Sequence, residues 1–427
     1  MFRKMFNMIL LAGKVHAKWE IETSNNILRS KKKIIILLLL AMPAIVFSIV
    51  LAANDGNLPH FIGGKTAYGP AHYDPFVFWI SILIGVCAGL ITGCIGAGGG
   101  FVITPALMSA GIKGILAVGT DLFHIFAKAI MGTAVHKKLG NVSVGLAIAF
   151  LVGSGIGVTG GGLINRYLYE KDPVLSDAFI SIVYALLLGF LGVYALVDFF
   201  KLRKSGAEVG AHHGESPHGE EVTKEGKGLP GKLQGVKTPP MIRFDHDLVP
   251  GGKEISGVFV AGSGVFVGFV AAIMGVGGGF LTFPIFVYVL GVSSFTTVGT
   301  DILQIIFTAG YASIVQYAIY GFVFYTLAMG MLLGSLLGIQ IGALTTKVVK
   351  GIHIRGFYAI TIMAGFVNRL FSLPGKLGKM KLISITPETA KFIDTIGIYI
   401  FFIVVGIFGA WVFGKFFGNL KALRGEE

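Results

Sequence analysis

The chain has 427 residues, of which 54% are hydrophobic and 13% charged, about half the charged share of an ordinary soluble domain. Apolar runs of about 18 residues or more recur along it and are continuous rather than alternating, which argues against a β-barrel and predicts a multi-spanning α-helical membrane protein. The formal charge of +13 is no nucleic-acid signal, because basic residues gather at the edges of apolar runs, where anionic lipid headgroups are the expected partners.

In chain order, residues 1–33 form a basic extension and residues 34–53 an apolar run that reads as a retained N-terminal anchor. A polar loop, 54–75, follows, and then five apolar segments within 76–200: 76–97, 101–111, 116–136, 142–164 and 178–200. A polar stretch, 201–254, carries His212, His213 and His218 and reads as a flexible linker. Five more segments occupy 256–371, at 256–276, 280–291, 297–319, 322–345 and 352–371, and a last span covers 396–418. Cys87 and Cys94, within one span, fit neither a disulfide framework nor a metal spacing.

The two blocks of five are copies. Gly96-x-Gly98-Gly99-Gly100-Phe101 with Pro105 matches Gly275-x-Gly277-Gly278-Gly279-Phe280 with Pro284, 179 residues later. One inserted residue on, Val118-Gly119-Thr120-Asp121 matches Val298-Gly299-Thr300-Asp301. With the N-terminus in the cytoplasm, Lys137 and Lys138, the 201–204 cluster, Lys347, Lys350 and the C-terminal basic residues all fall inside if each block crosses five times. An odd number of crossings inverts the second copy relative to the first, a pattern of secondary transporters. The central linker and the C-terminus are then cytoplasmic too. The predicted fold is all-α and polytopic: two inverted five-segment repeats with glycine-rich broken or re-entrant helices, an N-terminal anchor and a C-terminal span.

Segments 101–111 and 280–291 span only about 17 Å as helix, too short to cross about 30 Å of hydrocarbon. Each reads as half of a broken helix or hairpin whose glycine tip is unwound at membrane depth, lining a cavity. The helix after the tip starts with free N–H groups and the positive end of its dipole, an anion site without a charged side chain. Pro105 and Pro284 mark either the first helical turn or a kink. The competing reading, close helix packing, suits Gly153, Gly155, Gly157 and the 160–162 cluster better.

Ionisable residues inside spans are functional candidates. Asp121 and Asp301 either cap helices or carry a coupling ion, H⁺ or Na⁺. His124 and Lys128 lie on the same helix face as Asp121, and Lys128 either attracts an anion, pairs with Asp121 or snorkels. The second copy has Gln304 and Thr308 there, so the expected cavity is asymmetric. His136 reads as a headgroup contact. No catalytic motif, cofactor fingerprint or metal-ligand set stands out, so no enzyme is expected and no catalytic or metal site is assigned.

GxGGGFxxxP followed by VGTD, twice in one polytopic chain, resembles the TauE/SafE family of sulfite exporters and related anion permeases, over about residues 76–200 and 256–418. The resemblance implies transport of small anions such as sulfite or organosulfonates across the cytoplasmic membrane. It also implies that Gly96, Gly98, Gly99, Gly100, Pro105, Gly119, Thr120, Asp121 and their counterparts Gly275, Gly277, Gly278, Gly279, Pro284, Gly299, Thr300 and Asp301 build the pathway. An anion channel shares these features, and a membrane sensor or scaffold acting through the histidine-bearing linker is the reading from another class.

Overall fold

A computed structural model describes residues 59–64, 66–69, 75–95, 99–138, 143–205, 229–245, 252–346 and 348–419. The predicted anchor at 34–53, most of the loop at 54–75, Gly96, Gly98 and the linker histidines lie outside the described residues, as does the side chain of His136. The described chain is helical almost throughout. In the first half, α1 (Pro75–Ile95), α2 (Gly100–Ser109), α3 (Gly114–Lys138), α4 (Val144–Lys171) and α5 (Pro173–Ser205) follow one another. A short α6 (Leu229–Gly235) and a hairpin of β1 (Met241–Phe244) and β2 (Lys253–Ser256) lead on. The second half holds α7 (Gly257–Met274), α8 (Gly279–Pro284), α9 (Ser294–Tyr311), α10 (Tyr325–Thr345), α11 (Gly351–Lys379) and α12 (Pro387–Gly418). A π-helical turn, Ile285–Leu290, extends α8, and another, Ala312–Tyr317, extends α9.

Among the described residues, seven helices are long and apolar enough to cross a membrane: α1, α4, α5, α7, α10, α11 and α12. Large apolar side chains such as Phe76, Trp79 and Leu83 on α1 and Leu186 and Phe190 on α5 stand exposed, as a hydrocarbon solvent requires. The chain is an all-α polytopic membrane protein.

Glycine stripes set the closest packing. A Cβ at Gly85, Gly89 or Gly93 would lie within 2.2–2.5 Å of the carbonyls of Met331, Ser335 or Ile339, so α1 lies backbone to backbone along α10. Partner numbers rise together, and the two helices therefore run in the same direction. Gly153 and Gly157 meet Ala261 and Val265 in the same way, so α4 runs alongside α7. Such small-residue seams let membrane helices gain dispersion energy where no hydrophobic driving force exists. The packing reading of Gly153, Gly157 and Gly161 agrees with these contacts, whereas Gly155 faces open space. Other pairs are antiparallel: Gly119 and Gly310 of α3 and α9 meet Tyr317 and Phe126, and Gly189 and Gly356 of α5 and α11 meet Phe366 and Phe199.

The short α2 folds back along α1. Gly99 abuts the Ala88 carbonyl, and Ile103 and Leu107 share one core cluster with Ala88, beside Ile84 and Val77. α2 thus runs back alongside α1.

Within 201–254 the described residues 201–205, 229–245 and 252–254 are folded. α5 continues to Ser205, and α6 and the hairpin fold against the second half. Gln234 Nε2 donates to the Leu290 carbonyl at 2.8 Å, and Asp245 accepts from the Ser293 N–H at 2.9 Å and its hydroxyl at 2.6 Å. These side chains cap the turn between the extended α8 and α9, replacing solvent at exposed helix ends. Polar composition gave no hint of this docking, because its partners lie tens of residues away.

Candidate functional site

The two glycine clusters meet. A Cβ at Gly100 would lie 2.9 Å from Val276 Cα, and one at Gly275 would lie 2.8 Å from Val118 Cα and 2.9 Å from Thr104 Oγ1. In the second cluster Gly275, Gly277 and Gly278 have φ of 80°, 66° and 89°, the left-handed region where glycine carries no Cβ penalty. The chain therefore reverses there without strain and passes between α2 and α3.

Breaking α7 at Met274 leaves its last carbonyls without helical partners. Asn165 Nδ2 of α4 donates to the Ile273 carbonyl at 3.3 Å, the Tyr317 hydroxyl donates to Ala272, and the Tyr184 hydroxyl of α5 donates to Met274. On the other side of each tip, Val102 and Ile103 donate to the Gly99 carbonyl, and Leu281 and Thr282 to that of Gly278. The N–H groups just before them, on Gly100, Phe101, Gly279 and Phe280, have no helical acceptor by construction.

A carboxylate faces each of these helix starts. Asp121 Oδ2 would be 3.4 Å from a Cβ at Gly100, and Asp301 Oδ2 3.1 Å from one at Gly279. Asp121 is fully buried and Asp301 partly so. Both sit at the eighth residue of their helices, α3 and α9, so neither is the helix cap weighed from sequence; Ser293 caps α9 instead. Negative charge at a helix N-terminus is favourable, which accounts for the placement.

From each aspartate a polar chain runs to the fourth helix of the other half. In the first, Thr104 Oγ1 donates to Asp121 Oδ2 at 3.0 Å, and His124 Nε2 meets Ser335 Oγ of α10 at 2.9 Å. In the second, Gln304 Nε2 donates to Asp301 Oδ1 at 2.7 Å, Thr308 donates to Gln304 Oε1 at 2.9 Å, and Thr308 meets Ser154 Oγ of α4 at 3.0 Å. The second chain is complete. In the first, Asp121 Oδ1 and His124 Nδ1 stand 3.6 Å apart, both buried and without a hydrogen-bond partner among the described residues.

Lys128 lies one helical turn beyond His124, half-buried, close enough that its charge acts on both Asp121 and His124. Thr120 and Thr300 have matched tasks: the Thr120 hydroxyl accepts from the Phe324 N–H that opens α10, and Thr300 accepts from the Ser143 N–H that opens α4, both at 3.0 Å. Gly119 packs on the Phe322 carbonyl. These residues join the halves rather than face the tips. Pro105 lies inside α2 and Pro284 ends α8 before its π turn, so neither sits in a first turn.

Sequence reading missed Thr104, Ser154, Asn165, Tyr184, Tyr317 and Ser335. It also missed two buried arginines. Arg369 donates to the Pro105 carbonyl at 3.3 Å and to Ser109 Oγ at 2.7 Å, closing the far end of α2. Arg166 donates to the backbone and side-chain oxygens of Gln316 at 2.7 Å and stacks on Tyr320. The dipeptide Asn-Arg at 165–166 and again at 368–369, each inside an apolar run, was the available signal.

The family model for the sulfite exporter TauE/SafE matches residues 81–369, which include both tips and both aspartates. This chain belongs to the TauE/SafE family. Its relatives include the Probable membrane transporter protein YjnA of Bacillus subtilis (strain 168), 26% identical over 270 residues, covering 61% of this chain and 87% of the relative. The Probable membrane transporter protein YunE of the same organism is 29% identical over 117 residues, 27% of this chain and 43% of the relative. No solved structure matches. As a TauE/SafE member the chain is a multi-pass membrane transporter, not an enzyme, and its membership implies a small anion as substrate.

Proposed function

We propose that this TauE/SafE member is a secondary transporter of small anions, of the sulfite and organosulfur class, working by alternating access between two inverted halves in the cell membrane. The observation that carries the reading is the meeting of the two glycine tips, each opening a short helix whose first N–H groups have no helical acceptor. Peptide amides at a helix start bind oxyanions without a fixed positive side chain, and Lys128 adds positive charge on the first-half side. The family's description as sulfite exporters supports the substrate class.

Inversion has its own support. Pairing is reciprocal, first helix with fourth across the halves (α1 with α10, α4 with α7), and the equivalent helices α3 and α9 run antiparallel. A two-fold axis that makes equivalent helices antiparallel lies across them, in the plane of a membrane. Asp121, Asp301 and His124 are the candidates for a coupling ion, H⁺ or Na⁺. The N-terminus, central linker and C-terminus are cytoplasmic in this reading.

The test is uptake of radiolabelled sulfite, sulfate, thiosulfate, sulfoacetate and lactate by proteoliposomes, with and without a pH gradient. Saturable uptake of at least one sulfur anion, accelerated by unlabelled anion on the opposite side, is the expected result. Absence of uptake for the whole panel removes the anion reading, and conductance that never saturates or accumulates removes alternating access.

A further inference from the structure

We propose that the anion crosses together with one proton, held between Asp121 and His124, and that Asp301 with Gln304 is the fixed, proton-independent counterpart in the second half. The proposal rests on the anion-transport reading above and adds the identity of the coupling ion and its seat.

Ser335 Oγ lies 3.0 Å from the Leu332 carbonyl and 2.9 Å from His124 Nε2, and its one hydrogen serves either. When it goes to the carbonyl, the neutral ring donates through Nε2 and Nδ1 carries a lone pair; when it goes to Nε2, the ring hydrogen sits on Nδ1. Nδ1 faces Asp121 Oδ1 at 3.6 Å, with neither atom otherwise partnered among the described residues. Oδ2 is already engaged by Thr104. With the hydrogen on Nε2, two buried acceptors face each other across this distance and repel. One proton placed between them, on either atom, turns the pair into a donor and an acceptor, and a closure of about half an ångström makes it a normal hydrogen bond.

The second half shows the same geometry with the question removed. Gln304 occupies the position of His124, and its amide N–H donates permanently to Asp301 Oδ1 at 2.7 Å. Ser154 there corresponds to Ser335, 181 residues later. One polar chain thus holds a titratable histidine–aspartate pair where its counterpart holds an amide that does not titrate.

The groups around the Asp121–His124 pair are Lys128 on the same helix, Thr104 on α2, Tyr184 from α5 and Ser335 from α10. Among these described residues Lys128 supplies the positive charge.

Coupling follows from charge. The Asp121 carboxylate faces the N-terminus of α2, where the anion is expected. Two negative charges close together in a water-poor site repel. Taking up a proton relieves that repulsion, so proton and anion each favour the other's binding, as linkage requires. A substrate of negative charge therefore gives symport rather than exchange against protons.

The measurement uses the full chain in proteoliposomes with the membrane potential clamped by potassium and valinomycin. [³⁵S]thiosulfate, which does not titrate in the working range, and [³⁵S]sulfite are the probes, with a pH-sensitive dye reading proton movement. Wild type is expected to move about one proton per anion and to speed up several-fold from about pH 8 to pH 6. H124Q, which reproduces the second half's chemistry, is expected to bring protons moved per anion close to zero in whatever flux it retains, or, if flux is lost, to remove the proton uptake that the dye reads when anion binds the wild type. D121N should do the same; because it could misfold, H124Q decides, after its size-exclusion profile is matched to wild type. Anion flux in the wild type without proton movement, or H124Q that still moves a proton per anion, overturns this proposal and leaves anion transport standing. Failure of every anion in the wild type takes down the transport reading itself and this one with it.

Discussion

At the scale of single residues, Lys128 is the side chain whose value rests most on charge. In the proposed site its attraction for an anion competes with its attraction for Asp121, and the proposed proton removes the competitor. Lys128 is half-buried, and among the described residues it makes no hydrogen bond that would hold it as a structural pair. Replacing it with glutamine keeps most of the stem, so packing changes little. K128Q is expected to raise the apparent KM for the transported anion about tenfold, equal to ~1.4 kcal/mol, with a smaller change in the maximal rate. Concentration dependence of initial uptake in proteoliposomes reads both quantities. An unchanged KM assigns Lys128 to structure. Gly100 belongs to the same scale but to sterics. Its neighbour at 2.9 Å is the Val276 backbone rather than a movable side chain, so the meeting of the tips is a constraint on residue type, not a preference.

At the scale of elements, the structure is organised around what a broken helix leaves unsatisfied. A helix interrupted in hydrocarbon has no water to complete its carbonyls, and each unpaired group costs several kcal/mol there. Asn165, Tyr184 and Tyr317 supply the missing donors to α7, and Arg369 closes the far end of α2. N165L removes an amide that serves the Ile273 carbonyl at 3.3 Å and the Tyr317 hydroxyl at 2.9 Å, while keeping side-chain volume. It is expected to cost about 1–3 kcal/mol of stability, seen as a lower melting temperature in detergent, and to slow anion uptake because the tip loses its support. Uptake at wild-type rates with unchanged melting temperature would show that the break needs no cap. The glycine clusters and the aspartates were legible in the sequence because four glycines in five residues, or an acid in a span, are rare in apolar runs. Asn165, Thr104 and Ser335 were not, since a single small polar residue in a span has no period. Their meaning comes only from partners that folding brings from 17 to 211 positions away. The arginines at 166 and 369 were legible in principle, as charges within apolar runs.

At the scale of the whole molecule, the packing directions set the two halves upside down relative to each other. α3 runs with α10, since Thr120 meets Phe324 and His124 meets Ser335, and α10 runs with α1. α4 runs with α9, since Ser154 meets Thr308 and Thr159 meets Tyr311, and α9 opposes α3, which sets α4 opposite to α1. Because α7 lies parallel to α4 along the Gly153 and Gly157 seam, α7 also opposes α1, its own equivalent. Lys171 and Lys350 sit at equivalent turns, after α4 and after α10, 179 residues apart, and both are exposed. Inversion therefore puts them on opposite membrane faces, whereas a parallel duplication puts them on the same face. Single-cysteine variants K171C and K350C, made after replacing Cys87 and Cys94 with alanine, report this directly. A membrane-impermeant maleimide added to intact cells is expected to label only one of the two, and to reach the other after the membrane is opened. Charge placement adds the sign: Lys350, beside Lys347, is expected on the cytoplasmic face. Labelling of both variants from the same side removes the inverted arrangement, and with it the symmetry argument for alternating access. The tip geometry, the polar chains and the proton pair would then need a different motion to expose them to each side in turn.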